Sequence, residues 1–339
     1  MSGLDAGGLF VVWGPPGNGP RSRAFAGALG IDVVFLVASR RRGRLAALYK
    51  YPVQFVRTLM LLGRRSPRVV FVQSPPSFAV MAVALYAWVL RRRFVVDAHS
   101  DAMTSPYWTR PGWLISALVR AAAVTIVTNE HFAASLRADG GRALVIRDVP
   151  QHVTERRRDP VEPFEVMAVC TYAPDEPIDE ILGAAALLPE VTFSLTGDPA
   201  RFARALPPAP PNVRFTGFLP HEEYRERMAS CGAVLCLTTH DHTMQRGACE
   251  ALWAGRPIIT SDWPLLRDYF DRGTVHVDNS ASDIASAVAK IAADPVGFAD
   301  QIADLQALRR GEWDEAVTAL ATLTGERWAI PPAVKEEHL

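Results

Sequence analysis

Arg246-Gly-Ala-Cys-Glu-Ala-Leu-Trp-Ala-Gly-Arg-Pro-Ile-Ile-Thr-Ser-Asp262 decides how this chain is read. Its first half has the composition of a helix that opens on a glycine and carries one acid, Glu250. Gly255 supplies the tight exit, and Pro257–Thr260 has the character of a short buried strand. Gly247 lets a backbone or a ligand come close at the helix start, where free N–H groups favour an anion. Glu250 falls about one turn further in, where a carboxylate can accept hydrogen bonds from both hydroxyls of a ribose. An ordinary helix–strand unit with a solvated glutamate shares this pattern, so the surroundings must decide.

Outward from this segment, apolar runs alternate with helical patterns along the chain. Before it, strands are expected at Glu165–Cys170, Thr192–Thr196, Val213–Phe215 and Ala233–Leu237, with helices at Ile178–Leu188 and Glu222–Ser230. After it, residues 281–322 have Ala-rich amphipathic spacing. In the first half, strands are expected at Leu9–Trp13, Val33–Ala38, Val69–Gln73, Phe94–Asp97, Val124–Thr128 and Ala143–Arg147. Helices are expected at Arg21–Leu29, Tyr51–Leu62 with Pro52 in its first turn, 78–90, Trp113–Ala122 and Glu130–Ala138. Unbroken β-rich runs separated by helices predict an α/β fold with parallel sheets covered on both faces. Ligands of such sheets bind at the carboxyl ends of the strands, which is where candidate residues belong.

Composition divides the chain in two. At 339 residues, 49% hydrophobic and 21% charged, it has the makeup of an ordinary globular protein of about two domains. Net charge is zero, yet residues 1–150 hold 19 Lys+Arg against 7 Asp+Glu, a net of +12, and the remainder is −12. Residues 149–163 are polar and contain three prolines, as a linker would. The basic half implies an anionic partner, a membrane surface or a phosphorylated substrate, or else attraction between the halves. Nucleic acid is not among the expected partners. Cys170, Cys231, Cys236 and Cys249 form no CxxC pair and are expected to be buried free thiols, with no zinc site. No secretory leader pattern opens the chain, and the uncharged stretch 69–90 is cut by Pro75-Pro76. The 13 residues Phe78–Leu90 that remain are too short to span a bilayer.

Several strand ends carry chemistry. After the first strand, Gly14-Pro-Pro-Gly-Asn-Gly-Pro-Arg-Ser-Arg23 feeds a helix, and Asn18, Arg21, Ser22 and Arg23 are candidates for phosphate or sugar hydroxyls. It is neither a P-loop nor a dinucleotide fingerprint. Strand Phe94–Val96 ends in Asp97-Ala98-His99-Ser100-Asp101. Alternate positions put Asp97 and His99 on one side, an acid beside an imidazole that suits a general base or a group orienting a sugar hydroxyl; a buried structural histidine is the competing explanation. In the second half, Thr171, Gly197, Gly217 with Phe218, and His242 stand at four further strand ends and make an open ligand edge.

The combination resembles the GT-B glycosyltransferases of the family-4 type. The closer likeness is to the β-mannosyltransferase group that elongates chitobiosyl-diphosphodolichol, carried by the Arg-Ser turn, Val-Phe-Val-Gln-Ser-Pro-Pro-Ser77, Val-Val-Asp-Ala-His99 and Thr171-Tyr-Ala-Pro-Asp-Glu176. It covers about residues 9–300. The resemblance implies two Rossmann-like domains facing across a cleft: 1–155 on the acceptor side, 164–312 binding the donor, and 313–339 as a helix returning to the first domain with a tail. It implies sugar transfer from a nucleotide-diphosphate donor to a lipid-linked or polysaccharide acceptor at the cytoplasmic membrane face, without metal or other cofactor. Glu250, Arg246, Gly247, His242, Thr171, Gly197, Gly217 and Phe218 would hold the donor, with His99 and Asp97 catalytic. Two positions depart from the common pattern: His242 stands where a glutamate is usual, and residues 159–200 contain no Lys or Arg. A nucleotide-sugar epimerase and a non-catalytic partner subunit of the same fold are the alternatives.

Overall fold

The computed structural model of the chain describes residues 7–16, 19–38, 44–151, 164–202 and 208–328, with the backbone alone at 44–47. It forms two compact units, residues 1–150 with 312–339, and residues 151–311.

The first unit runs β1 (Gly8–Trp13), α1 (Pro20–Leu29), β2 (Asp32–Leu36), α2 (Arg44–Arg65), β3 (Val69–Ser74), α3 (Ser77–Leu90), β4 (Arg93–Ala98), α4 (Ser100–Thr104), α5 (Gly112–Ala121), β5 (Val124–Val127), α6 (Glu130–Ala138) and β6 (Ala143–Val145). All six strands are parallel, in the order β2-β1-β3-β4-β5-β6. Because both faces are covered, β1, β3 and β5 are almost wholly buried rather than alternating. One face packs Phe10, Phe25 and Phe71; the other packs Val11, Val70 and Val72 against α3. The order reverses between β1 and β3, which makes the ends of these strands and of neighbouring β4 the natural ligand edge.

The second unit runs β7 (Glu165–Ala168), α7 (Ile178–Leu187), β8 (Thr192–Thr196), β9 (Val213–Gly217), α8 (His221–Ser230), β10 (Ala233–Cys236), α9 (Arg246–Trp253), β11 (Ile258–Ser261), α10 (Pro264–Tyr269), β12 (Thr274–Val277), α11 (Ala281–Ala293) and α12 (Pro295–Thr324). Its parallel order, β12-β11-β10-β7-β8-β9, is that of a Rossmann sheet and reverses between β7 and β10. Both units are therefore Rossmann-like, and the α/β architecture is GT-B. The part of α12 beyond Gly311 belongs to the first unit, where Trp313 meets Phe25 edge-on at 5.3 Å and Val317 and Leu320 join the core.

Several elements differ from expectation. Helix α2 starts at Arg44, so Pro52 lies inside it rather than in its first turn. Proline removes one backbone donor there, and the 22-residue helix continues through it. The Ala-rich region is two helices, because Pro295 cannot continue the ladder of α11 and instead opens α12. The short α4, α10 and β12 escape periodicity because each offers six residues or fewer. All four cysteines are free and buried.

Candidate functional site

In the first unit the site is built at the end of β4. Asp97, the penultimate residue of that strand, is only 1% exposed in its side chain, and His99 follows as the N-cap of α4. The His99 amide donates to the Ser74 carbonyl at 2.9 Å, extending the β3–β4 ladder and fixing where the imidazole stands. Nε2 of His99 lies 3.2 Å from Oδ2 of Asp97. With the proton on Nε2 shared with that carboxylate, Nδ1 carries the lone pair, and the ring is 30% exposed. On the other carboxylate oxygen, Arg21 donates from Nε at 3.4 Å. Burial alone would raise the Asp97 carboxyl, but Arg21 and His99 outweigh it and hold it down at about 2.

Arg21 and Ser22 are thereby turned inward. Besides Asp97, Arg21 donates from Nη1 to the Arg147 carbonyl at 3.0 Å and from Nη2 to the Ile146 carbonyl at 2.7 Å. It pins α1 to β4 and to the segment after β6, which corrects the expectation that it faces a phosphate. Ser22 is fully buried and donates to Oε1 of Gln73 at 2.9 Å, joining α1 to β3. A helix that must pack on a sheet turns one side of its first turn inward, and these two residues occupy that side. Arg23 is exposed and lies 5.3 Å over the Phe35 ring. Asn18 lies outside the described residues.

In the second unit the strand-end loops meet at the β7/β10 reversal. Thr238, after β10, donates from Oγ1 to Oδ2 of Asp175 at 2.7 Å, and the Thr239 amide donates to the Asp175 carbonyl at 2.8 Å. The loop after β7 wraps an acid of its own. The amides of Thr171 and Tyr172 donate to Oε2 of Glu176 at 2.9 and 2.7 Å, with the Ala173 amide at 3.3 Å. The Thr171 hydroxyl adds a bond to Oε1 at 2.8 Å. Tyr172 reaches the left-handed region, φ 59°, which turns successive N–H groups to one side. Thr171 therefore spends its donors on Glu176. Burial pushes the Glu176 carboxyl up despite these donors. Replacing Glu176 by alanine leaves the converging amides without an acceptor. It should lower unfolding free energy by about 1–3 kcal/mol in urea denaturation.

Glu250 is paired on both oxygens. Arg246, one turn earlier on α9, donates from Nε to Oε1 at 2.7 Å, and the Tyr224 hydroxyl from α8 donates to Oε2 at 2.8 Å. Burial, then the Glu250 charge, pushes the Tyr224 hydroxyl pKa upward, so Tyr224 stays a donor. Gly247 serves a different purpose from the one its position suggested. A Cβ there would stand 2.8 Å from Cγ1 of Val169 and 3.0 Å from Sγ of Cys236. Its missing side chain seats α9 on β10 and the residue after β7, leaving no opening for a ligand on that side. Gly197 (φ 84°) presses on the Cys170 carbonyl, and its amide donates to Gly217 at 3.0 Å. Phe218, next in the chain, is 88% exposed. His242 is left-handed, φ 57°, and lies beside Asp241.

Tyr224 is a residue that sequence reasoning did not single out, and Asp175 and Glu176 stood in the quoted Thr171–Glu176 segment without a role of their own. Clues to Asp175 and Glu176 lay in an Asp-Glu pair after a strand end and proline. Nothing local links Tyr224 to Glu250.

Residues 1–151 match the family model of the glycosyl transferase 4-like domain, and residues 178–310 match that of glycosyl transferase-like proteins. The two halves of the chain are thus glycosyltransferase domains, and the fold is GT-B. Among solved structures, this glycosyltransferase is similar to Anabaena HepE in complex with UDP and glucose. The TM-score is 0.62 at 16% identity, covering 94% of this chain and 99% of the other. The lipopolysaccharide outer core galactosyltransferase WaaB gives 0.63 at 13% identity, covering 92% and 99%. A Listeria monocytogenes protein described as a putative UDP-N-acetylglucosamine 2-epimerase gives 0.61 at 11% identity, covering 95% and 99%. Transferases and an epimerase thus share the fold, which is all that likeness at such identity establishes. No curated protein matches this glycosyltransferase in sequence.

Proposed function

We propose that this glycosyltransferase moves a hexose from a nucleotide-diphosphate donor to a hydroxyl of a lipid-linked or polysaccharide acceptor at the cytoplasmic membrane face, with His99 as base. The Asp97–His99 pair at the end of β4 carries this proposal: a buried carboxylate orients an imidazole whose second nitrogen is left for an incoming hydroxyl. In the step itself, Nδ1 of His99 takes the acceptor proton, the acceptor oxygen bonds to the anomeric carbon, and the bond to the nucleoside diphosphate breaks. Developing charge on the leaving diphosphate is met by Arg246 and the positive end of the α9 dipole, a means of stabilisation that needs no metal ion. Glu250 accepts from ribose hydroxyls through its remaining lone pairs, and the exposed Phe218 ring offers a face to the base.

Binding of GDP-mannose and UDP-glucose, measured by thermal stabilisation, tests the donor half. Glu250→Gln keeps an oxygen for Tyr224 but loses the charge, and should weaken donor binding about 10- to 100-fold. Unchanged affinity would remove α9 from the donor site. Conversion of UDP-N-acetylglucosamine to its 2-epimer without any acceptor would replace transfer by isomerisation.

The membrane side of the proposal rests on α2 and α3. On α2, exposed Tyr49, Val56 and Met60 form a stripe, and Lys50, Arg57 and Arg64 form a basic stripe one position further round. On α3, which packs against α2, Phe78, Leu85, Trp88 and Val89 are exposed at helical spacing and Arg91–Arg93 follow. Among the described residues no helix is long and apolar enough to cross a membrane. Co-sedimentation with phosphatidylserine vesicles should exceed that with neutral vesicles and fall as salt rises, each basic residue contributing about 1 kcal/mol. Equal partitioning would assign the basic charge to another partner.

A further inference from the structure

The loop after β7 holds a carboxylate where a phosphoryl group would fit, and no step above uses it. The amides of Thr171, Tyr172 and Ala173 follow one another in the chain, and each donates to Glu176, joined by the Thr171 hydroxyl. Successive N–H groups turned to one side by a left-handed residue, here Tyr172, make a concavity that binds anions. This cup is open to solvent, since Thr171 is exposed and Glu176 only partly buried. Residues 159–200 contain no Lys or Arg, so amides rather than cations are what the loop offers an anion.

The cup is shaped by bonds other than those to the carboxylate. The Glu176 amide donates to the Ala173 carbonyl at 3.0 Å, and Asp175 is tied to the loop after β10 through Thr238 and Thr239. The Tyr172 ring is buried against Phe202. Rotation of the Glu176 side chain alone would therefore free the amides. Burial penalises the charge of that carboxylate more than its donors favour it, so it is a weakly held anion. The cup also adjoins the start of α9: Val169, just after β7, is what a Cβ at Gly247 would strike at 2.8 Å. Arg246, assigned above to the donor diphosphate, begins that helix.

We propose that Glu176 is an internal competitor of the donor: its carboxylate fills the amide cup in the free protein, and a phosphoryl group of the nucleotide diphosphate displaces it on binding. The inference rests on the transferase reading and adds to it a residue that lowers donor affinity. The exchange replaces one two-oxygen anion by another, so the amides keep their acceptor while Glu176 turns to solvent.

Calorimetric titration with pyrophosphate provides the test. Glu176→Gln removes the charge and Glu176→Ala removes the competitor. Both should bind pyrophosphate about 10-fold more tightly than wild type, as expected when an occupant held by charge-assisted hydrogen bonds is lost. Whichever of UDP and GDP the wild type binds should gain likewise, the opposite sign to Glu250→Gln. Glu180→Gln removes an equal charge from the first turn of α7, outside the cup, and should change affinity by less than about twofold. Unchanged or weaker pyrophosphate affinity in both Glu176 variants overturns the inference and leaves the residue a structural tie. An equal gain in Glu180→Gln overturns it too, by reducing the effect to general charge. Should both Glu176 variants fail to fold, refolding in saturating pyrophosphate but not in chloride supports the inference, and failure in both overturns it. Tighter pyrophosphate binding in the variants of a protein that binds no nucleotide sugar would uphold the displaceable carboxylate while overturning the transferase proposal.

Discussion

Turnover of His99→Ala is expected to fall by about 10²–10⁴-fold, the range for loss of a positioned general base. Donor binding should survive this change, because the nucleotide is assigned to the second unit and His99 belongs to the first. The loss should therefore lie in kcat, with the donor dissociation constant within about twofold of wild type. His99→Gln sharpens the experiment: an amide can still meet Asp97 but cannot take a proton at neutral pH. If His99 only orients the acceptor, glutamine should restore most of the turnover lost to alanine. If it is the base, both variants should be comparably slow. A variant with full turnover would make His99 a structural residue, its bond to Asp97 serving the β4–α4 turn alone.

The legibility of this chain follows from what is local. Strand ends announced themselves because apolar runs stop abruptly at turn residues, as at Gly14, Gly197 and Gly217. The doubly wound architecture follows from those runs alternating with helices. Partnerships that cross the fold left no such trace. Arg21 and Asp97 are 76 positions apart, and Tyr224 and Glu250 are 26 apart. Sequence therefore left Arg21 looking like a phosphate ligand when packing turns it inward. Gly247 shows the same limit more finely. Its position said that a Cβ would be intolerable, and that holds, but the neighbour that forbids it is Val169 of the protein's own strand end. Glu176 is legible only once the backbone is known, since its partners are mostly amides, which every residue carries.

Loss of the Asp97 carboxylate should be the most destabilising single change at the site. Asp97→Ala leaves Arg21 in a mostly buried position with its charge no longer compensated. Breaking a buried pair in this way costs about 3–5 kcal/mol. Asp97→Asn retains the shape and isolates the charge. The sign of the pH effect follows from the depressed carboxyl: held at about 2 in the fold and near 3.9 when unfolded, Asp97 binds its proton more readily in the unfolded chain. Its contribution, about 2 kcal/mol, is fully present above pH 5 and is lost as pH falls from about 4 toward 2. Urea midpoints at pH 7 and pH 3 should therefore differ more in wild type than in Asp97→Asn. Parallel loss in the two proteins would mean that other carboxylates govern acid stability and that Arg21 and Asp97 contribute geometry alone. Activity separates the remaining role. Asp97→Asn that stays folded at pH 7 but turns over slowly, with donor affinity intact, would locate the effect in the orientation of His99. That orientation, together with its negative charge beside the ring, is what Asp97 can lend to the chemistry from a position closed to solvent.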